Sequence, residues 1–300
     1  MPSRVFVTGG SGFVGNAVID ELLSRGHAVN ALSHRGSLEG FGDGVRAIKG
    51  GLFDNDEMDE GMRGVDAVIH LVGIIMEKPS KGVTFERIHT QGTQSVVDAA
   101  KRNSIQRYVH MSALGARQDA RSRYHKTKYA AEQYVRESGL DWTIFRPSLI
   151  HGPKGEFMRM EAKWARMSAP PFLFMPYFGG RKAGKLQPVY VKDVARAFVD
   201  ALEKNSTIGE IYPLAGPNEV TWPQLHKTAS SAIVGRERMT GWIPVPIAKV
   251  VAKMPGAPYN TDQVIMSQEN NTTDIRKFTD AFGWEPQPFE PTLRSYAGQM

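Results

Sequence analysis

A tyrosine and a lysine stand four residues apart in a segment whose pattern predicts a helix. Tyr124 and Lys128 begin the stretch 124–138, which ends before Gly139, and side chains at this spacing project from one helix face. A free tyrosine has a pKa of about 10, too high for a base at neutral pH, and an ammonium one turn away favours its phenolate. Most such pairs are surface neighbours, so the surrounding elements decide how this one is interpreted.

Near the N-terminus, glycines at residues 9, 12 and 15 lie between an apolar strand predicted at 5–7 and a helix predicted at 16–25. A pyrophosphate must approach the backbone N–H groups at a helix N-terminus, and side chains there would block it. Strand, glycine turn and helix in this order therefore predict a dinucleotide-binding loop. The residues predicted to form this loop are Gly9, Gly12, Phe13, Val14 and Gly15.

The end of the second predicted strand, residues 29–33, should meet the adenosine ribose of a dinucleotide. A carboxylate there would bind the ribose 2′-hydroxyl and favour NAD. The sequence instead has Ser33, His34 and Arg35, and the last two could meet a 2′-phosphate. NADP(H) is the predicted cofactor in preference to NAD(H); the alternative is that Arg35 is a solvated loop residue.

Strands and helices alternate through the first half of the chain, with further strands predicted at 45–49, 65–72, 107–112 and 142–146 and helices at 85–103 and 124–138. This alternation predicts an α/β fold, a doubly wound Rossmann parallel sheet whose ligands lie at the carboxyl ends of the strands. The residues at those ends that are predicted to contact the cofactor are Leu52, Val72, Gly73, Pro147 and Ile150.

After residue 150 the chain becomes rich in methionine, aromatic residues and proline. We predict a Rossmann domain of residues 1–150 plus 187–216 and a smaller, mixed C-terminal lobe of residues 151–186 and 217–300 on the substrate side. The apolar stretch 172–178 has two interpretations. It packs between the lobes, or it forms an apolar surface for a substrate or a membrane, with the basic loop 181–185 nearby.

In combination these motifs resemble the extended or atypical short-chain dehydrogenases/reductases, including the NAD-dependent epimerase/dehydratase-like proteins. The matching segments are residues 8–15, 69–73, 124–128, 146–153 and 187–195. A narrower resemblance, carried by residues 89–93 and 109–116, is to the branch of the NAD(P)H-binding complex I alpha subcomplex subunit nine and its bacterial relatives.

The family resemblance implies that Tyr124 is the acid or base at the reacting oxygen and that Lys128 supports it and holds the nicotinamide ribose. The serine or threonine that the family carries at the end of the fifth strand falls at Ala113, with Ser112 one position earlier. A shift of one residue turns a strand side chain to the other face. Ser112 is therefore a candidate third catalytic residue that could instead point into the sheet.

Two further positions depart from the family pattern: His89 stands in place of its helix asparagine, and Gly51 in place of its adenine-side aspartate, for which Asp54 could substitute. The leading hypothesis is an NADP(H)-binding reductase that transfers hydride to or from a carbonyl or alcohol. The departures favour the alternatives of a non-catalytic NADP(H)-binding subunit or assembly factor of a respiratory or quinone-linked membrane complex, or an NmrA-like regulator. A nucleotide-sugar epimerase or dehydratase is a further alternative.

The composition of the chain argues against several other classes of protein. The chain has no cysteine, which excludes disulfides and thiolate chemistry. The net charge is +6, but the basic residues are scattered, so no nucleic-acid partner is predicted. The eight histidines lack metal-site spacing, so we predict no metal, with His70 and His110 as hydrogen-bonded core groups. Without a predicted signal peptide, we expect a cytoplasmic protein, with attachment to a membrane as an alternative.

Overall fold

The apolar runs of the sequence form short strands in the computed structural model, which describes residues 3–34, 41, 44–254 and 256–300. The strands are β1 (Arg4–Thr8), β2 (Ala28–Ser33), β3 (Val45–Lys49), β4 (Ala67–His70), β5 (Arg107–Met111), β6 (Asp141–Pro147), β7 (Ile150–His151), β8 (Met175–Phe178), β9 (Lys185–Leu186), β10 (Val189–Tyr190), β11 (Glu210–Leu214), β12 (Val220–Thr221) and β13 (Thr240–Ile243).

Helices separate most of these strands. They are α1 (Phe13–Ser24), α2 (Asn55–Met62), α3 (Gly92–Arg102), α4 (Arg123–Arg136), α5 (Glu156–Ala165), α6 (Val191–Glu203), α7 (Trp222–Val234), α8 (Val245–Val251), α9 (Thr261–Met266), α10 (Arg276–Phe282) and α11 (Phe289–Tyr296). Among the described residues, no helix has the length and apolar character that crossing a membrane requires.

The chain divides into two compact units. The first, here called the sheet unit, contains Met1–Arg146, Lys192–Pro213 and Asp280–Gly283. The second, here called the C-terminal unit, contains Pro147–Val191, Leu214–Thr279 and Trp284–Met300.

Seven strands form the central sheet in the order β11-β6-β5-β4-β1-β2-β3. Every neighbouring pair among β1 to β6 is parallel. The chain winds outward from β1 to β3 and then returns to the other side through β4, which is the doubly wound order. The predicted α/β Rossmann fold is therefore confirmed, and the place where the winding reverses lies between β1 and β4, where such folds bind ligands.

The core explains why these strands are apolar along their whole length. Phe6, Val68 and Tyr108 lie in register on neighbouring strands, and all three are fully buried. Met58 of α2 and Val96 of α3 belong to the same buried cluster. A parallel sheet covered by helices has no solvated face, so its strands alternate little between apolar and polar residues.

Two elements of the sheet unit differ from the sequence prediction. The helix predicted at 85–103 is interrupted, because residues Glu86–Gln91 form a π-helical turn before α3 begins at Gly92. Helix α2 was not predicted, since half of its eight residues are acidic. Its apolar residues Met58 and Met62 are one turn apart and both buried, which is enough to dock a short helix.

The C-terminal unit contains three two-stranded sheets, β10-β7, β12-β9 and β13-β8. Helix α5 packs on α7, where the carboxylate of Glu161 meets the imidazole of His226 at 2.9 Å in a fully buried pair. Helix α7 begins with a capping box between Thr221 and Gln224 and ends at Gly235, whose φ is +73°. These caps satisfy backbone groups that the helix itself leaves unpaired.

Candidate functional site

The loop between β1 and α1 is crowded at its glycine positions, most of all where it meets Gly15. Gly9 has a φ of +76°, and the Gly12 N–H donates to the Gly9 carbonyl at 3.0 Å. A Cβ on Gly15 would collide with that same carbonyl oxygen and would lie 2.7 Å from the Gly10 Cα. A Cβ on Gly9 would lie 3.2 Å from the Val72 nitrogen, so the loops after β1 and β4 already touch.

Helix α1 starts beside this loop without a side-chain cap. Its first intrahelical bond to the cap runs from the Asn16 N–H to the Gly12 carbonyl at 2.9 Å. The N–H groups of the first turn, Phe13 to Gly15, therefore have no acceptor within the helix. Unpaired donors at the positive end of a helix dipole, next to a backbone without side chains, suit a pyrophosphate. The site fits the phosphate part of a dinucleotide.

The predicted ribose end lies where β2 and β3 finish side by side. Ser33 is buried and His34 is exposed, and the imidazole of His34 lies 2.9 Å from where a Gly51 Cβ would be. The Asp54 carboxylate accepts the Gly51 N–H at 2.7 Å. His34 and the loop after β3 thus meet, while Arg35 lies outside the described residues.

Lys128 joins the carboxyl ends of two strands. Its ammonium donates to the Met111 carbonyl at 3.1 Å and to the Val72 carbonyl at 3.5 Å, and the residue is only 2% exposed. A Cβ on Gly73 would lie 2.9 Å from this nitrogen. The absence of a side chain at residue 73 is therefore what leaves space for the lysine, at the edge of the sheet where ligands bind.

Tyr124 lies one turn before Lys128 in α4, whose start is capped by the Ser122 hydroxyl accepting the His125 N–H at 3.2 Å. Burial raises the pKa of Tyr124 to about 12, and burial lowers the pKa of Lys128 to about 8 with the nearby Glu132 opposing that shift. At neutral pH the tyrosine is therefore protonated and the lysine is charged, which is the pairing of a proton donor with a fixed cation.

His89, in the π-helical turn, supports Tyr124. The Nε2 atom of His89 lies 3.0 Å from the Ile74 nitrogen and 3.1 Å from the Ile74 carbonyl oxygen, and its Nδ1 atom is hydrogen-bonded to the Thr127 hydroxyl at 2.9 Å. Burial and the charge of Lys128 lower the pKa of His89 to about 2, so the ring is neutral. The ring of Phe85 stacks on it at 5.4 Å.

Ser112 is buried at the end of β5. Its N–H donates to the Phe145 carbonyl at 2.8 Å, and its hydroxyl has no hydrogen-bond partner among the described residues. The hydroxyl therefore does not bond to the backbone. Ala113, at the position where the family carries its hydroxyl, is also buried.

The two strand histidines behave differently. His70 meets the Thr8 hydroxyl at 2.6 Å and the Thr93 hydroxyl at 3.1 Å, which confirms it as a hydrogen-bonded core group. His110 stacks on His70 with ring centroids 5.4 Å apart, but neither of its nitrogens has a partner among the described residues. The prediction that His110 is hydrogen-bonded is wrong, because strand alternation predicts burial and says nothing of partners.

Pro147 and Ile150 belong to the C-terminal unit. Pro147 is the last residue of β6, and Ile150 pairs with Val189 across β7 and β10. Leu52 is buried and its Cδ1 lies 2.7 Å from where a Gly92 Cβ would be. Their contacts with a cofactor stay predictions.

Sequence reasoning missed Phe85 and Thr127 as neighbours of the candidate pair. Thr127 precedes the lysine directly and bonds to His89, and Phe85 lies four residues before His89 on the same turn. The only hint in the sequence is that Phe85 and His89 are four residues apart, which places them on one side of a helical turn. The π-helical turn that brings them to Tyr124 has no sequence signature of its own.

Comparison with known proteins agrees with this geometry. Residues 9–163, more than half of the chain, match the model of a family described as NAD(P)H-binding. The chain is 32% identical over 256 residues to the mitochondrial NADH dehydrogenase [ubiquinone] 1 alpha subcomplex subunit 9 of Arabidopsis thaliana, covering 82% of this chain and 61% of that protein. It is 27% identical to the subunit of the same name from Mus musculus, covering 95% of this chain and 77% of that protein.

Two solved structures share the fold. A dTDP-glucose 4,6-dehydratase from Streptomyces venezuelae, with NAD and TYD bound, has a TM-score of 0.79 at 21% identity and covers 99% of this chain and 96% of its own. A UDP-glucose 4-epimerase from Thermotoga maritima has a TM-score of 0.76 at 21% identity, with 99% and 98% covered. The resemblance to atypical short-chain dehydrogenases/reductases is confirmed, and the chain belongs to the NAD(P)H-binding family.

Proposed function

We propose that the protein binds NADP(H) in its sheet unit and transfers hydride between the nicotinamide and a carbonyl or alcohol. The observation that carries the proposal is the buried ammonium of Lys128. It is held by the carbonyls of Val72 and Met111 one helical turn from Tyr124, at the strand ends beside the glycine loop. A buried cation is costly unless it has a task or a partner.

In this proposal each predicted residue has a place. The glycine loop and the first turn of α1 hold the pyrophosphate, the end of β2 holds the 2′-phosphate, and the ends of β4 to β6 hold the rest of the cofactor. The cofactor-binding residues proposed are Gly9, Gly12, Phe13, Val14, Gly15, Ser33, His34, Arg35, Leu52, Val72, Gly73, Lys128, Pro147 and Ile150. The bound nicotinamide supplies or accepts the hydride.

The chain's own residues handle the proton. Tyr124 donates its hydroxyl proton to the oxygen of a carbonyl substrate during reduction, and the Lys128 ammonium stabilises the phenolate that remains. His89 acts through Tyr124 as a positioning residue. Ser112 has an unpartnered buried hydroxyl and is proposed to donate to the substrate oxygen.

Turnover of a panel of aldehydes and ketones with NADPH tests the proposal. The variant Tyr124→Phe should reduce turnover at least about a hundredfold while NADPH affinity stays within about twofold. Tyr129→Phe, on the same helix, is the matched control and should leave both unchanged. Equal turnover in Tyr124→Phe and the control would overturn the role of Tyr124.

The preference for NADP(H) rests on the end of β2, where no carboxylate is available for a ribose 2′-hydroxyl. Isothermal titration with NADPH and NADH should give at least about tenfold tighter binding of NADPH. The variant Arg35→Ala should weaken the binding of NADPH and leave the binding of NADH unchanged. Equal affinities for NADPH and NADH in the unchanged protein would contradict the preference for NADP(H). They would not bear on hydride transfer, which the turnover measurements test.

A second candidate function is that of a non-catalytic NADP(H)-binding subunit or assembly factor of a respiratory complex. Its support is the similarity to complex I subunits, together with alanine at residue 113 in place of a hydroxyl. This candidate predicts NADPH binding without turnover of any carbonyl and recovery of a respiratory complex on affinity purification. Robust NADPH oxidation with no recovered complex would reject it.

A further inference from the structure

Exposed apolar side chains concentrate in one part of the C-terminal unit. Among the described residues, nine large apolar side chains are exposed, and seven of them lie within residues 172–173 and 239–254. These seven are Phe172, Leu173, Met239, Trp242, Ile247, Val250 and Met254. Single exposed apolar residues are ordinary, whereas such a concentration marks an interaction surface.

The parallel pair β8 and β13 brings these two segments together. The Met175 N–H donates to the Met239 carbonyl at 2.9 Å, next to the exposed residues 172–173. At the other end the Trp242 ring lies 3.3 Å from where a Gly180 Cβ would be. Trp242 is 57% exposed, so its indole covers the backbone of residue 180 and still faces solvent.

Helix α8, directly after β13, presents apolar residues outward. Ile247, Val250 and Met254 follow the spacing of one helical stripe, in the helix and the turn that continues it. They are 55%, 65% and 58% exposed, whereas Ala248 on another side is fully buried. An ordinary surface helix buries its apolar stripe, and α8 does the reverse.

The two segments that carry these apolar residues have charge of one sign. No aspartate or glutamate occurs from residue 162 to 192 or from 238 to 261. Arg181 and Lys182 are exposed beside Trp242, in the turn Gly180–Lys182, and Lys253 is exposed beyond α8. Lys249 is half-buried on α8. Among the described residues none of these four cations is part of an ion pair.

We propose that the seven apolar residues and four cations, here called the apolar–basic face, bind the surface of an anionic phospholipid bilayer. A helix with an outward apolar stripe bordered by lysine is suited to lie at the boundary between headgroups and acyl chains, and tryptophan favours that depth. The cations meet lipid phosphates. The inference goes beyond the proposed function and does not rest on it.

Cosedimentation of the full chain with vesicles tests the proposal. The protein should partition at least about tenfold more strongly onto phosphatidylcholine vesicles containing phosphatidylglycerol than onto phosphatidylcholine alone. Lys249→Glu/Lys253→Glu and Ile247→Asp/Val250→Asp should each lower that partitioning at least about tenfold. The control Lys81→Glu/Lys101→Glu changes the same charge at exposed lysines of the sheet unit and should retain binding. Absence of vesicle binding, or equal loss in the control, overturns the proposal.

The fluorescence of Trp242 shows whether this part of the protein contacts the membrane. Vesicles should shift the protein's emission to the blue, and Trp242→Phe should remove that shift while the protein still sediments with the vesicles. A shift that persists in Trp242→Phe would assign the membrane contact to another surface. Self-association in the absence of lipid, removed by Ile247→Asp/Val250→Asp, would instead make the face a protein contact. NADPH affinity, unchanged in every variant, shows that the sheet unit is intact.

Discussion

The phenol ring of Tyr124 meets the imidazole of His89 edge to face, with centroids 5.2 Å apart and ring planes at 90°. Hydrogen bonds with the backbone of Ile74 and with the Thr127 hydroxyl hold the imidazole, so the ring against which the tyrosine packs cannot rotate freely. A catalytic group is effective when neighbouring groups hold it in place. This contact gives His89 a role that substitution can test.

Replacing the imidazole should loosen Tyr124 without touching the dinucleotide loop. His89→Ala should lower turnover by about tenfold to a hundredfold, since small displacements of a reacting group cost rates of that order. NADPH affinity should stay within about twofold. Steady-state kinetics and the pH dependence of turnover check this: a displaced Tyr124 shifts the alkaline limb of the profile, whereas a purely structural role lowers stability and leaves that profile in place.

The crowding at Gly15 predicts a specific loss of cofactor binding. Gly15→Ala would force its Cβ against the Gly9 carbonyl, so the loop must open and the first-turn N–H groups move. We expect NADPH to bind at least about a hundredfold more weakly, measured by titration calorimetry. Gly298→Ala, where nothing lies within 4 Å of the added carbon, is the control. Unchanged affinity in Gly15→Ala would show that phosphate binds elsewhere.

The buried ammonium predicts how stability depends on alkaline pH. The pKa of Lys128 is about 8 in the folded protein and ordinarily 10.5. Between these values the unfolded chain binds a proton that the folded chain has released, so the free energy of unfolding rises with pH by up to about 1.4 kcal/mol per unit. Tyr124 opposes this only above about pH 10, because its pKa is raised.

Urea unfolding at several values between pH 8 and pH 10, in the protein without cofactor, measures this effect. The difference in the free energy of unfolding between the unchanged chain and Lys128→Met should grow in favour of the unchanged chain as the pH rises. A constant difference over that range would mean that burial does not lower the pKa of Lys128.

The buried neutral histidines predict sensitivity to acid. Burial lowers the pKa of His70 and of His151 to about 3, with the charge of Lys128 contributing at His70. Below about pH 6.5 these histidines become protonated in the unfolded chain but stay neutral in the folded chain. The free energy of unfolding therefore falls as the pH falls. In His151→Gln the fall should be shallower by up to about 1.4 kcal/mol per pH unit. Urea unfolding at pH 7 and pH 5.5 checks this prediction. An equal loss in the free energy of unfolding for both proteins would contradict it.

Much of the sheet unit could be predicted because its signals are local. The glycine spacing, the apolar runs and the alternation of strands with helices are each read from one stretch of chain, and that alternation predicts a parallel, doubly wound sheet. The pair Tyr124 and Lys128 could be placed near the sheet edge by its position after β5.

The features that could not be predicted depend on contacts between residues far apart in the sequence. The bonds of Lys128 to Val72 and Met111 join three elements, and the lack of partners at His110 is visible only when its neighbours are known. The outward apolar stripe of α8 is visible only in the structure, because periodicity identifies an apolar face but not the side on which it lies.

The transfer of deuterium to a carbonyl substrate from NADPH that carries two deuterium atoms at nicotinamide C4 measures hydride transfer by this protein itself. Mass spectrometry of the alcohol product should show one deuterium per turnover in the unchanged protein and in Tyr129→Phe. In Tyr124→Phe at equal NADPH occupancy, labelled alcohol should form at least about a hundredfold more slowly. Labelled alcohol formed at the same rate by Tyr124→Phe, or bound NADPH that labels no carbonyl in the panel, would contradict the account.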